Sequence, residues 1–127
     1  MSGDIKARFR QIWDRIWNQG DLDAIDEFYA ADIVVHSAAP GTPAGVEGVR
    51  LTVGGYRAAY PDLQLTLEDL IAEGDKIVHR WSMTGTQQGE FRGAPPTGEK
   101  MTMSGISMMR VADGKIAELW TAMTPST

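Results

Sequence analysis

Two imidazoles, His36 and His79, are the only side chains in this 127-residue chain whose ordinary titration falls near neutral pH. No cysteine is present, which excludes thiolate nucleophiles, disulfides and thiolate-held metals, and two histidines cannot build a three-His metal centre. Chemistry is left to carboxylates, hydroxyls, one or two imidazoles, or a cofactor brought in by itself. His36 closes the β-branched run Ile33-Val34-Val35 and opens a loop. That is the position of a general base at a pocket mouth, or of a histidine that anchors the loop. Glu118 lies in the last apolar segment; facing a cavity, burial would raise its pKa and make it the second acid or base. Paired instead with Arg80 or Arg110, it would be structural. Alternation over residues 77–86 sets His79, Trp81 and Met83 on one face and Arg80, Ser82 and Thr84 on the other. His79 is therefore expected in a structural or interface role, and Arg80 as an ion-pair partner or an anion clamp for a substrate oxygen.

The elements that must position these groups follow from the apolar period. Ile5, Phe9, Ile12, Trp13, Ile16 and Trp17 trace one face of a helix, and Gly20 supplies its stop. Leu22, Ile25, Phe28 and Tyr29 fit a short second helix, and residues 31–37 a short strand or extended arm. Val49, Val53, Tyr56 and Tyr60 trace a third helix, ended by Pro61. From Leu63 the period falls to two, and Glu73-Gly74-Asp75-Lys76 turns the chain into the strand that carries His79. The stretch from Lys100 to Val111 has Met101 and Met103 in one phase but Ile106 and Met108 in the other, which predicts a β-bulge beside Gly105. Asp113-Gly114 predicts a hairpin into the final strand, on which Ile116, Glu118 and Trp120 should share a face.

Helices first and a strand meander after them predict an α+β domain spanning residues 1–127. Three helices would pack on a curved antiparallel sheet that forms a cone-shaped barrel around a ligand-sized cavity. Trp13, Trp17, Tyr56 and Tyr60 would form one wall, with a tyrosine hydroxyl as donor to a carbonyl oxygen. Met103, Trp120, Thr121 and Arg80 would contribute from the strands, and Phe91 would act as a lid aromatic. Such a lining expects a hydrophobic small molecule. A net charge of −5 argues against nucleic acid as the partner. No stretch approaches the roughly 18 apolar residues of a membrane span, and the lack of cysteine fits the cytoplasm.

An ordered set of short motifs adds to this reading. Trp17-Asn18-Gln19-Gly20-Asp21 precedes Ala31-Asp32-Ile33-Val34-Val35-His36, then Tyr60-Pro61-Asp62-Leu63 and Glu73-Gly74-Asp75-Lys76. Arg80-Trp81, Gly85-Thr86, Gly89-Glu90-Phe91, Pro96-Thr97-Gly98 and Arg110 follow, and Gly114-Lys115-Ile116 leads to Glu118 and Trp120. Over about residues 13 to 123 the chain resembles the SnoaL-like polyketide cyclases of the nuclear transport factor 2-like superfamily. The resemblance implies a cystatin-like cone fold, and dimers or dimers of dimers paired through sheet faces. It also implies ring closure by intramolecular aldol condensation without metal or cofactor, with a carboxylate as general acid/base. The chain departs from the pattern where that carboxylate is expected, since Thr121 and Thr124 stand there. Gln87 likewise stands where relatives often show histidine. His36 and Glu118 are then the expected catalytic pair, the alternatives being a non-catalytic small-molecule binder, which the two threonines favour, or a related isomerase or hydrolase.

Overall fold

The periodic apolar residues of the N-terminal third form the expected helices, except that Tyr29 opens the following strand instead of closing the second helix. A computed structural model describes residues 2–91 and 93–125. Helix α1 runs Ser2–Trp17 and α2 runs Asp23–Phe28. An isolated helix of α1's length is marginal in water, so its stability comes from burying Phe9, Ile12, Trp13 and Ile16. Each such side chain contributes roughly 1.5–3 kcal/mol on full burial. Strand β1 (Tyr29–Val35) follows, then helix α3 (Val46–Ala59), which ends two residues before Pro61. The meander comprises β2 (Gln64–Glu73), β3 (Lys76–Thr86), β4 (Lys100–Ala112) and β5 (Lys115–Pro125).

The five strands form one sheet in the order β1-β5-β4-β3-β2. The meander is antiparallel, but β1 pairs with β5 in parallel, so the sheet is mixed rather than antiparallel throughout. Nor is it a closed barrel: β1 and β2 are its two edges. The helices close what the strands leave open, with α1 against β2 and α3 against β1. Between them and the concave face lies the core, led by Phe9, Phe28, Ile16, Ile25, Ile77 and Ile116.

The expected bulge at Gly105 is absent. Register runs unbroken through it, with Trp81 opposite on β3 and Met123 opposite on β5. Ile106 and Met108 stay in phase by facing outward, and Ile106 is exposed. Gly105 is required for another reason: a Cβ there would lie 2.5 Å from Trp81 Cζ2 and 2.9 Å from Ala122 O, so the Trp81 ring lies across this bare backbone. The register shift between β4 and β5 sits further on, where Arg110 pairs with Glu118 but Val111 pairs with Ile116. Ala117 is the extra residue. It separates Ile116, buried in the core, from Glu118 and Trp120, which turn outward; the three do not share a face. The Asp113-Gly114 hairpin forms as expected, with both residues at positive φ (52° and 78°) as a two-residue type I′ turn requires.

Candidate active site

The concave face, α1, α3 and the loop of residues 37–45 enclose a cavity of about 900 Å³. Its strand floor is alternate residues of three neighbouring strands: His79, Trp81 and Met83 of β3, Ser107 and Met109 of β4, and Leu119, Thr121 and Met123 of β5. Trp13 and Trp17 of α1 and Val49, Val53 and Tyr56 of α3 form the helical wall. Phe91 comes in from the loop between β3 and β4, its ring 4.8 Å from that of Tyr56. Trp17 also meets Tyr56, edge-on at 6.1 Å. Asp32 and Glu90, both exposed, also border the cavity.

His79 is the ionisable group of the floor. It is 2% exposed, and among the described residues neither ring nitrogen has a hydrogen-bond partner. Its ring lies 4.8 Å from Phe9 and edge-on to Trp13 at 6.0 Å. Burial among these rings penalises the imidazolium and pushes the pKa from 6.5 down to about 4. The ring is thus neutral at pH 7 and offers one N–H donor and one lone pair. Leaving a buried polar group unpaired costs about 1–3 kcal/mol, a cost that folding alone gives no reason to keep.

Beside it runs a short polar network. Trp81 Nε1–H donates to Ser107 Oγ at 3.1 Å, and Ser107 Oγ lies 2.9 Å from Thr121 Oγ1. Ser107 is directly opposite His79 on one side and Thr121 on the other, so imidazole and hydroxyls form a row across the sheet.

Of the residues expected to bind substrate, Trp13, Trp17, Tyr56, Phe91 and Thr121 line the cavity. Tyr60 is buried but lies behind the lining, packed on Tyr56 and Phe91. Met103 packs half-buried against the core and does not border the space. Arg80 projects from the convex face, pairing with Asp69 at 2.7 Å rather than with Glu118. The expected catalytic pair is also outside the cavity. His36 Nε2 lies 2.8 Å from Glu118 Oε2, Arg110 Nε donates to Glu118 Oε1 at 2.6 Å, and the His36 ring stacks on Trp120 at 4.8 Å and 7°. Hydrogen bonds from His36 and Arg110 hold the Glu118 carboxyl below its ordinary pKa, opposite to the rise a cavity carboxylate would show. Ala117 is the local cause, because its extra residue rotates Glu118 and Trp120 away from the concave side.

Gln87 anchors a loop. Its amide donates to the carbonyls of Gly89 and Pro95, and its oxygen accepts from Thr97 Oγ1. Among the described residues no cluster of three or more His, Asp or Glu side chains could hold a metal ion. No helix of the described residues is long and apolar enough to cross a membrane.

The profile of the SnoaL-like polyketide cyclases matches residues 7–124. The chain belongs to this family. Solved structures agree. TsrD from Streptomyces laurentii is 28% identical with a TM-score of 0.87, over 97% of this chain and 90% of that one. AclR from Streptomyces galilaeus, called a hydroxylase, is 32% identical with a TM-score of 0.82, over 98% and 91%. IdmH from Streptomyces antibioticus, called a polyketide cyclase, is 34% identical with a TM-score of 0.75, over 97% and 91%. A search of curated proteins gave no match. These SnoaL-like relatives share the nuclear transport factor 2-like fold of curved sheet and three helices. The buried imidazole of this cavity is His79, which sequence reasoning placed on the face of Trp81 and Met83 and read as structural or interfacial. The available signal was a lone polar residue within the apolar alternation Ile77, Trp81, Met83.

Proposed function

We propose that this SnoaL-like protein binds a polyketide-type hydrophobic ketone in its cavity and catalyses enolate chemistry, such as intramolecular aldol ring closure, with His79 as the acid/base group. The observation that carries the reading is the neutral, buried His79 imidazole, unpartnered on the cavity floor. Its lone pair takes the proton α to a carbonyl, and the C–H electron pair moves onto the carbonyl oxygen as an enolate. The enolate carbon then attacks a second carbonyl of the same substrate, and the imidazolium returns the proton to the new alkoxide. The balance closes with groups that chain and substrate supply. A developing enolate beside the ring favours imidazolium in this apolar setting, which offsets the lowering of the pKa by burial. Aromatic walls at Trp13, Trp17, Tyr56 and Phe91 suit a flat, unsaturated skeleton.

With this reading goes the expectation of a cytoplasmic homodimer, paired through the convex face on which Ile71 and Ile106 are exposed. Light scattering checks the oligomeric state. The chemistry is tested by solvent deuterium incorporation at the α-carbons of 2-tetralone, followed by mass spectrometry. Wild type should accelerate exchange and His79→Leu should not. Equal exchange by the two proteins would overturn the assignment of His79.

A further inference from the structure

The polar network beside His79 has a hydrogen to spare. Indole is a donor without an acceptor, so Ser107 Oγ must accept from Trp81 Nε1–H. Trp81, Ser107 and Thr121 together bring three donor hydrogens, and the two contacts that join them use two. Whichever of Ser107 and Thr121 donates to the other, one hydroxyl hydrogen is left over, and both residues border the cavity. The geometry is fixed from behind: Gly105 lets the Trp81 ring lie across the sheet with its N–H on Ser107.

We propose that Ser107 and Thr121 form a subsite for one carbonyl oxygen, donating this spare hydrogen to the oxygen on which charge develops as His79 takes the α-proton. The proposal rests on the reading of the cavity as the substrate site with His79 as base. Ser107 faces His79 directly across the β3–β4 ladder, where opposed side chains start about 4.5–5.5 Å apart. A carbonyl carbon and its α-carbon bridge such a gap, with the oxygen on the hydroxyls and the α-hydrogen towards the imidazole. A preorganised donor aimed at a developing oxyanion is a common source of rate enhancement in water-poor sites. In this arrangement Thr121 contributes as a donor rather than as a base, and Trp81 is a positioning residue.

The test uses a probe pair, 1-acetonaphthone and 1-ethylnaphthalene, which share a ring system but differ in the carbonyl. Equilibrium dialysis against the full chain gives the ratio of their dissociation constants. In Ser107→Ala/Thr121→Val the ketone should lose about tenfold relative to the hydrocarbon, the size of one hydrogen bond, while hydrocarbon affinity holds. Thr121→Ser keeps the hydroxyl and should keep the wild-type ratio. An unchanged ratio in the double variant overturns the subsite and leaves His79 untouched. Parallel loss of both probes also overturns it, by making the hydroxyls structural. Failure of both probes to bind wild type overturns the cavity as substrate site, a result separate from either.

Discussion

The two histidines occupy opposite faces of one sheet and differ in everything except their ring. His36 is half-exposed, stacked flat on Trp120 and bonded to Glu118, which Arg110 holds from the other side. His79 is buried, edged by Phe9 and Trp13, and bonded to nothing among the described residues. On the convex face the Glu118 carboxylate is held at both oxygens within the cluster, by His36 at one and by Arg110 at the other. On the concave face the imbalance is the useful property: a group that costs stability when unpaired is available to a substrate. The contrast shows why a histidine's neighbours, rather than its presence beside a loop, decide its availability for catalysis.

The largest expected break in this contrast is catalytic. His79→Leu should reduce turnover by about 10²–10⁴-fold, the range for a lost general acid/base, whereas His36→Ala should change it by less than about twofold. Deuterium-exchange rates of both variants check this. The next effect is on stability against pH. Folded His79 stays neutral down to about pH 4, while in the unfolded chain it takes up a proton near its ordinary 6.5. Between these values the unfolded state binds more protons, so His79 makes stability fall as pH drops from 6.5 to about 4 and level off below. That contribution is about 3 kcal/mol, and it should vanish in His79→Leu, read by urea unfolding across that range.

Gly105→Ala sharpens the comparison from beneath the network. The added Cβ overlaps the Trp81 ring and should cost about 1–3 kcal/mol, with a change in near-ultraviolet circular dichroism as the indole shifts. The smallest effect belongs to the convex cluster. Glu118→Gln should lower the melting midpoint less than Gly105→Ala does, and the loss should shrink at high salt. Since its pKa is depressed, Glu118 contributes above its unfolded pKa and ceases to as pH falls through the folded one.

Helices α1 and α3, the Asp113-Gly114 turn and the strand alternation of β3 were legible in sequence because each has its own local period or turn chemistry. The outward turn of Glu118 was not, because it depends on one unpaired residue, Ala117, whose bulge arises from pairing with β4. A sequence records the composition of each strand face but not which face the helices cover. That single unknown left His36 expected at the pocket mouth and His79 expected as structural, whereas His79 lines the cavity and His36 lies outside its lining. The parallel β1–β5 pair was hidden for a related reason: it joins segments separated by α3 and three strands of meander, and no short-range pattern encodes it.

The unpaired edges β1 and β2 have one more consequence. Ladder hydrogen bonds run strand to strand across the floor that carries His79, Ser107 and Thr121, and no rung of that ladder passes through the helical wall. Trimming or enlarging a wall residue such as Val49 or Tyr56 can therefore alter the room for a ligand without breaking a rung of the ladder. In this architecture the reacting groups and the groups that gauge ligand size belong to separate mechanical parts, so ligand preference can drift through the helices while the reactive row stays in place.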